Sequence, residues 1–164
     1  MSTISFRPYL PKDAAAVADL FTASIDELAA DDYDEEQRIA WASAAEDVAG
    51  FGANLAGMLT ILAEVEGELL GFAALKDNKI IDMLYVAPDH AGKGVGKALV
   101  GVMELLARQR GAEMLTVDAS EVACEFFVHL GYEKQARNTV MRAGEWLANT
   151  TMTKNLPPAP KANA

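Results

Sequence analysis

The stretch PDHAGKGVGKALV, Pro88 to Val100, places three glycines in five residues, Gly92, Gly94 and Gly96, between the apolar run IIDMLYV and a helical pattern. A strand that breaks into glycines and then opens a helix leaves backbone N–H groups unpaired at the positive end of the helix dipole. Such a turn suits an anion, above all a phosphate. Two familiar phosphate fingerprints fail on the spacing. In a Walker A reading Ala91 stands at the first glycine and Ala98 at the magnesium-binding hydroxyl; in a dinucleotide reading Lys97 or Leu99 stands at the third glycine. The physics of the turn therefore points to a phosphate-bearing ligand outside those two classes. A glycine-rich connection with no ligand is the plain alternative.

Other chemistry is limited by composition. Cys124 is the single cysteine and His90 and His129 are the two histidines, which leaves no internal disulfide and no expected metal site. A formal net charge of -10 disfavours nucleic acid and favours cationic or neutral partners, among them an amine. With 164 residues, 51% hydrophobic and 23% charged, the chain fits one compact domain with a real core. No apolar run reaches the roughly 18 residues of a membrane span, and MSTISFRPYL lacks the apolar stretch of a signal peptide, so a cytoplasmic protein with no membrane partner is expected.

Hydrophobic periodicity supplies the elements that position these groups. ISFRPYL reads as a strand, and Asp13 as the N-cap of a helix carrying Val17, Leu20, Phe21 and Leu28 at helical spacing. Asp34 and Gln37 have capping-box spacing before a short helix through Ile39, Trp41 and Ala42, with a further helical piece near Val48. LTILAEV, LLGFAAL and IIDMLYV, separated by EGE and KDNK, have the pattern of an antiparallel meander. Val95, Leu99, Val102 and Leu106 then form one helix face, closed by Arg108, Arg110 and Gly111. EMLTVD is the next strand, and this strand, helix and strand predict a right-handed parallel crossover. Ser120 caps a helix with Ala123, Phe126, Phe127 and Leu130 facing inward and Gly131 as its stop. Strands near Tyr132–Met141 and Thr150–Leu156 complete a domain over residues 1–156; PPAPKANA, residues 157–164, is expected to be a disordered tail.

This order of elements, with LYVAPDHAGKGVGKAL and DASEVACEFFVHLGY, resembles the GCN5-related N-acetyltransferase (GNAT) superfamily over nearly the whole chain. The most specific piece is the Q/R-x-x-G-x-G/A signature at Ala91 to Gly96, supported by the FF-x-x-x-GY ending of the later helix. FRPYLPKDAAAVADLF, DDYDEEQRIAWAS and NTVMRAGEWLANTTMTK further resemble an uncharacterised bacterial acetyltransferase branch. Two residues depart from the pattern. Ala91 stands where Gln or Arg is usual, and Phe127 where many relatives carry a tyrosine that protonates the leaving thiolate.

The resemblance implies an α/β domain whose mixed, mostly antiparallel sheet is flanked by helices and contains a splayed central parallel pair. It also implies acetyl-CoA as cofactor. The strand carrying Leu84, Tyr85 and Val86 would expose backbone groups to the pantetheine arm. Gly92, Lys93, Gly94, Val95, Gly96 and Lys97 would bring amides to the pyrophosphate, the two lysines adding charge or remaining solvated. Ser120, Cys124 and Phe127 would flank the thioester and pantetheine, with capping and core filling as the plain roles of Ser120 and Cys124.

Acetyl transfer to an amine needs an uncharged nucleophile, whereas an alkylammonium has a pKa of about 10, so deprotonation near pH 7 costs about 4 kcal/mol. Asp82 is the first candidate base, and Asp118, on the facing strand, the second. A bulge would reverse strand parity, so alternation leaves the direction of Asp82 open. Tyr85 and Tyr132 are the candidates for the missing acid. Tyr33, Trp41, Asn138 and Trp146 are candidates for enclosing an acceptor, and the acidic cluster Asp31, Asp32, Asp34, Glu35 and Glu36 either attracts a cation or complements a helix dipole. The expected activity is direct acetyl transfer from acetyl-CoA to a primary amine of a small molecule or peptide. A CoA- or acyl-CoA-binding regulatory domain without turnover is the alternative; a doubly wound nucleotide-binding domain is disfavoured by the failed fingerprints and the hairpin-rich first half. Oligomeric state is left open, a homodimer included.

Overall fold

The computed structural model describes residues 3–158. Strand β1 (Ser5–Pro8) is followed by three helices, α1 (Ala14–Leu28), α2 (Glu35–Ala42) and α3 (Val48–Ala56). A meander β2 (Leu59–Val65), β3 (Glu68–Lys76) and β4 (Ile80–Val86) leads into α4 (Val95–Gln109) and β5 (Met114–Ser120). The short helix α5 (Cys124–His129) precedes the hairpin β6 (Glu133–Arg142) and β7 (Glu145–Asn155). The strands form one seven-stranded sheet in the order β1-β2-β3-β4-β5-β7-β6. Neighbours are antiparallel except β4 and β5, which run parallel. This is the expected mixed, mostly antiparallel α/β architecture, and among the described residues no helix is long and apolar enough to cross a membrane.

Helices cover both faces of the meander, which is why LLGFAAL is apolar on consecutive residues rather than alternate ones. Ala73 and Leu75 of β3 pack into a cluster with Val95, Leu99 and Met103 of α4, while Phe72 and Ala74 pack with Phe21 of α1 and Phe51 and Leu55 of α3. The helical spacing of Val95, Leu99, Met103 and Ala107 gives α4 a continuous buried stripe. Gly71 of β3 lets that helix come close: a Cβ there would stand 2.7 Å from the Tyr85 carbonyl and 3.2 Å from side chains of Val95 and Leu99.

Local signals account for most boundaries. Asp34 Oδ1 accepts from the Gln37 amide at 2.8 Å and Gln37 Oε1 accepts from the Asp34 amide at 2.9 Å, a complete capping box. Three expectations need correction. Asp13 does not cap α1 through its side chain; its carboxylate accepts from the Leu10 amide at 2.8 Å and from both terminal nitrogens of Arg7 at 2.7 and 2.8 Å. Ser120 ends β5, and its hydroxyl accepts from the Ala123 amide at 3.3 Å to close the turn before α5, which starts only at Cys124. The last strand begins at Glu145 rather than near Thr150, because Ala143 and Gly144, with φ of 45° and 87°, make a tight hairpin turn. Of the expected tail, residues 159–164 lie outside the described residues; the carbonyls of Pro157 and Pro158 accept from Arg108, each at 3.0 Å.

Candidate active site

The parallel pair β4 and β5 is joined only at Ile80↔Thr116 and Ile81↔Val117. Beyond those residues the strands part, and a cleft of about 710 Å³ opens between Asp82–Val86 and Asp118–Ser120. The parting coincides with a bulge. On β3 the register steps from Ala74↔Met83 to Leu75↔Ile81, which leaves Asp82 without a partner. An inserted residue of this kind bends the strand and re-aims its side chains, and Asp82 lines the cleft.

One end of the cleft is made of backbone. Gly92 and Gly94 have φ of 73° and 86°, a conformation that side-chain-bearing residues rarely adopt, and a Cβ added at either would meet no protein atom within 4 Å. Gly96, in the first turn of α4, sits under the Phe126 ring, whose Cζ would lie 3.3 Å from an added Cβ. The first amide after the loop to find a helical acceptor is that of Ala98, bonded to the Gly94 carbonyl at 3.0 Å. Among the described residues the amides from Gly92 to Lys97 have no backbone acceptor. Free donors, the positive end of α4 and open space at Gly92 and Gly94 together fit a pyrophosphate.

The other end is made of side chains. Ser24, Ile25 and Leu28 of α1 and Ala29 at its C-cap form one wall, with Trp41 of α2 and Met83 and Tyr85 of β4 beside them. Trp41 Nε1 donates to the Tyr85 hydroxyl oxygen at 3.1 Å, so the tyrosine proton remains available to another acceptor. Burial pushes the Tyr85 pKa up to about 12, opposed by the Trp41 hydrogen bond, with the nearby charge of Asp82 adding to the rise. The tyrosine therefore keeps its proton at neutral pH. On the facing strand Asp118 Oδ1 accepts from Thr151 Oγ1 at 2.6 Å, and Asn138 Nδ2 donates to the same threonine oxygen at 2.7 Å and to Asn149 Oδ1 at 3.0 Å.

A family description for the acetyltransferase (GNAT) domain matches residues 29–156. The chain belongs to the GNAT acetyltransferase family. It is similar to the uncharacterised N-acetyltransferase YafP of Escherichia coli K12, 29% identical over 152 residues, 93% of this chain and 96% of that protein. It is also similar to the solved structure of a GCN5-related N-acetyltransferase from Rhodopseudomonas palustris, with 58% identity, a TM-score of 0.93 and coverage of 95% of this chain and 98% of that one. The YncA structure from Salmonella typhimurium, which holds its cofactor acetyl-CoA, shares the fold at 23% identity and a TM-score of 0.65, over 99% of each chain. The chain is accordingly an acyltransferase.

Within this GNAT frame the cleft collects Asp82, Asp118, Leu84, Tyr85, Val86, Gly92, Gly94, Val95, Gly96, Lys97, Ser120, Phe127 and Trp41 from the residues singled out by sequence. It does not collect the others. Lys93 is an exposed loop residue, and Cys124 lines a separate surface hollow with Arg137 and Lys134. Tyr132 does not line the cleft and is not placed to act as the acid: its buried hydroxyl donates to Glu104 Oε2 at 2.9 Å, and Lys154 pairs with Glu104 Oε1 at 3.0 Å. Burial, reinforced by the Glu104 charge, raises its pKa. Tyr33 is a brace rather than a cleft residue, donating to the Ala148 carbonyl at 2.6 Å and accepting from the Glu121 amide at 2.9 Å. Asn138 is held in the Thr151 and Asn149 network, and Trp146 is exposed on the hairpin while its carbonyl accepts from Gln37 Nε2 at 2.8 Å.

Sequence reasoning missed the α1 wall and also His90 and His129, both of which line the cleft. His129 Nδ1 bonds the Glu125 carbonyl at 2.7 Å, which makes Nδ1 the protonated nitrogen. Spacing puts Val17, Leu20, Phe21 and Leu28 on one helix face, but nothing in it separates the first three, which are core, from Leu28, which lines the cleft.

Proposed function

We propose that this GNAT protein transfers the acetyl group of acetyl-CoA directly to the primary amine of a small molecule or peptide. The observation that carries the proposal is the opening of β4 from β5 at the Asp82 bulge, with unpaired loop amides at one end and carboxylates facing the gap. Leu84, Tyr85 and Val86 would hold the pantetheine arm through their backbone, and the amides from Gly92 to Lys97 the pyrophosphate. Acetyl-CoA bound in this way supplies an activated acyl thioester at the splay.

Asp82 would take a proton from the acceptor's ammonium, directly or through water, and the freed nitrogen forms the new C–N bond as the C–S bond breaks. The bond's electron pair leaves on sulfur, which is protonated to the thiol. Tyr85 has a hydroxyl proton free to steady charge developing in the cleft, since Trp41 occupies its oxygen only as a donor. A covalent route through Cys124 is disfavoured because that residue does not line the cleft.

The test is thiol release from acetyl-CoA with an active amine, measured against pH. Asp82→Asn is expected to lower kcat about a hundredfold or more while leaving acetyl-CoA affinity unchanged, with partial recovery at high pH as the amine loses its proton unaided. Asp118→Asn is expected to lose less, because Asp118 is already bonded to Thr151. An unchanged profile in Asp82→Asn would remove Asp82 from the mechanism. Acetyl-CoA binding with no turnover across an amine panel would instead favour a CoA-binding regulatory domain.

A further inference from the structure

The charges around the cleft are segregated. Among the described residues lining it, the basic side chains are His90 and Lys97, at the glycine loop and the turn before it, and His129, at the end of α5. The walls from α1, α2, β4 and β5 contribute no cation. They contribute the carboxylates of Asp82 and Asp118, set among Ile25, Leu28, Ala29, Trp41 and Met83. Arginines near this end are engaged elsewhere or stand back: Arg38 bonds the Asp26 carbonyl at 2.7 Å, Arg137 pairs with Glu121 at 2.9 Å, and Arg142 acts on Tyr85 through space without lining the cleft.

We infer that the acceptor is a small primary amine with an apolar body and no carboxylate, such as an arylalkylamine, and that free amino acids are selected against. The inference rests on the acetyl-transfer reading of this cleft and deepens it. An ammonium placed for deprotonation lies among carboxylates, which favours a cation; an α-carboxylate on the next carbon would be carried toward Asp82 and Asp118 with no basic side chain among the described residues of these walls to receive it. Ile25, Leu28, Ala29 and Met83 offer an alkyl or aromatic body an apolar surface. In the reaction the acceptor nitrogen bonds the acetyl carbon, the thioester C–S bond breaks, sulfur leaves with the electron pair and is protonated, and the ammonium proton passes to Asp82 and on to solvent.

The experiment compares phenethylamine, L-phenylalaninamide and L-phenylalanine as acceptors for the full chain, by thiol release from saturating acetyl-CoA at one pH. Phenethylamine and the amide are expected to exceed the amino acid at least tenfold in kcat/KM. Equal or better turnover of the amino acid would overturn the inference while leaving acetyl transfer standing. Release with none of them and with no other amine, in protein whose melting temperature rises with acetyl-CoA, would overturn the transfer reading and this inference with it. Leu28→Arg adds a cation to the wall at the last turn of α1, where the helix dipole favours one. That variant is expected to narrow the ratio by raising kcat/KM for L-phenylalanine; a folded Leu28→Arg with an unchanged ratio would count against charge as the selector, and if the variant does not fold the comparison of acceptors on the unmodified chain still decides.

Discussion

At the glycine-loop end the cleft offers the main-chain amides between Gly92 and Lys97, with the side chains of His90 and Lys97 beside them, whereas at the α1 end it offers side chains from α1, α2, β4 and β5. The first set is contiguous in sequence and depends on backbone conformation. The second is assembled from segments far apart in the chain and depends on tertiary packing. A phosphate presents the same chemistry to every protein that binds it, so a short loop at a helix start suffices. An acceptor is particular, and its recognition lies in how separate elements happen to meet.

The largest expected effect breaks the first end while sparing the second. Gly94→Glu puts a bulky anion into the open space above a residue with φ of 86°, and CoA affinity is expected to fall at least a hundredfold. Gly94→Ala separates the two causes, because it imposes the backbone strain of about 1–2 kcal/mol without the charge. Isothermal titration with CoA beside a thermal melt checks both. A folded Gly94→Glu protein with unaltered affinity would show that phosphate is held elsewhere.

The next effect loosens the α1 side alone. Arg7 ties β1 to the start of α1 through Asp13 and to β2 through Glu64, at 2.7 Å from its Nε to Glu64 Oε1. Asp13 is buried, and its hydrogen bonds from Arg7 hold its carboxyl below the usual carboxylate range. A carboxyl whose folded pKa is depressed stabilises the fold above its unfolded value of about 3.9 and loses that contribution as pH falls through the lowered one. Asp13→Asn is expected to cost about 2 kcal/mol at pH 7, with the gap to the unmodified chain shrinking toward pH 3. CoA affinity at pH 7 is expected to stay unchanged, since the loop belongs to the α4 side. Denaturant melts at both pH values decide it; a gap that does not shrink would place the stabilisation outside this ion pair.

The same contrast explains what the sequence disclosed. The glycine loop, the Asp34 and Gln37 capping box, the meander and the crossover are all local patterns, and each is present in the structure. The direction of Asp82 was not legible, because a bulge depends on pairing with β3 and leaves no mark on β4 itself. Tyr132 and Asn138 read as chemical groups because a hydroxyl and an amide are versatile; only packing shows them bonded to Glu104 and to Thr151 and Asn149. Leu28 of the α1 wall falls with Val17, Leu20 and Phe21 on one helix face for the opposite reason, since an apolar residue at helical spacing reads the same whether it faces a sheet or a cleft.

The smallest expected effect sharpens the claim that the phosphate end is backbone. Ala91 occupies the position where the family signature carries Gln or Arg, and it is an exposed residue with φ of -64° and ψ of 144°, an extended conformation open to any side chain. Ala91→Gln adds an amide that can reach across the loop but leaves the amides from Gly92 to Lys97 where they are. CoA affinity is expected to change by no more than about threefold, because one exposed hydrogen bond contributes about 1 kcal/mol or less. A gain of a hundredfold on titration would mean that side chains, not the main chain, limit phosphate binding here, and a collapse of binding would mean that the loop has a different geometry around its ligand. A change within the expected range, set against the loss in Gly94→Glu, assigns the grip to the amides.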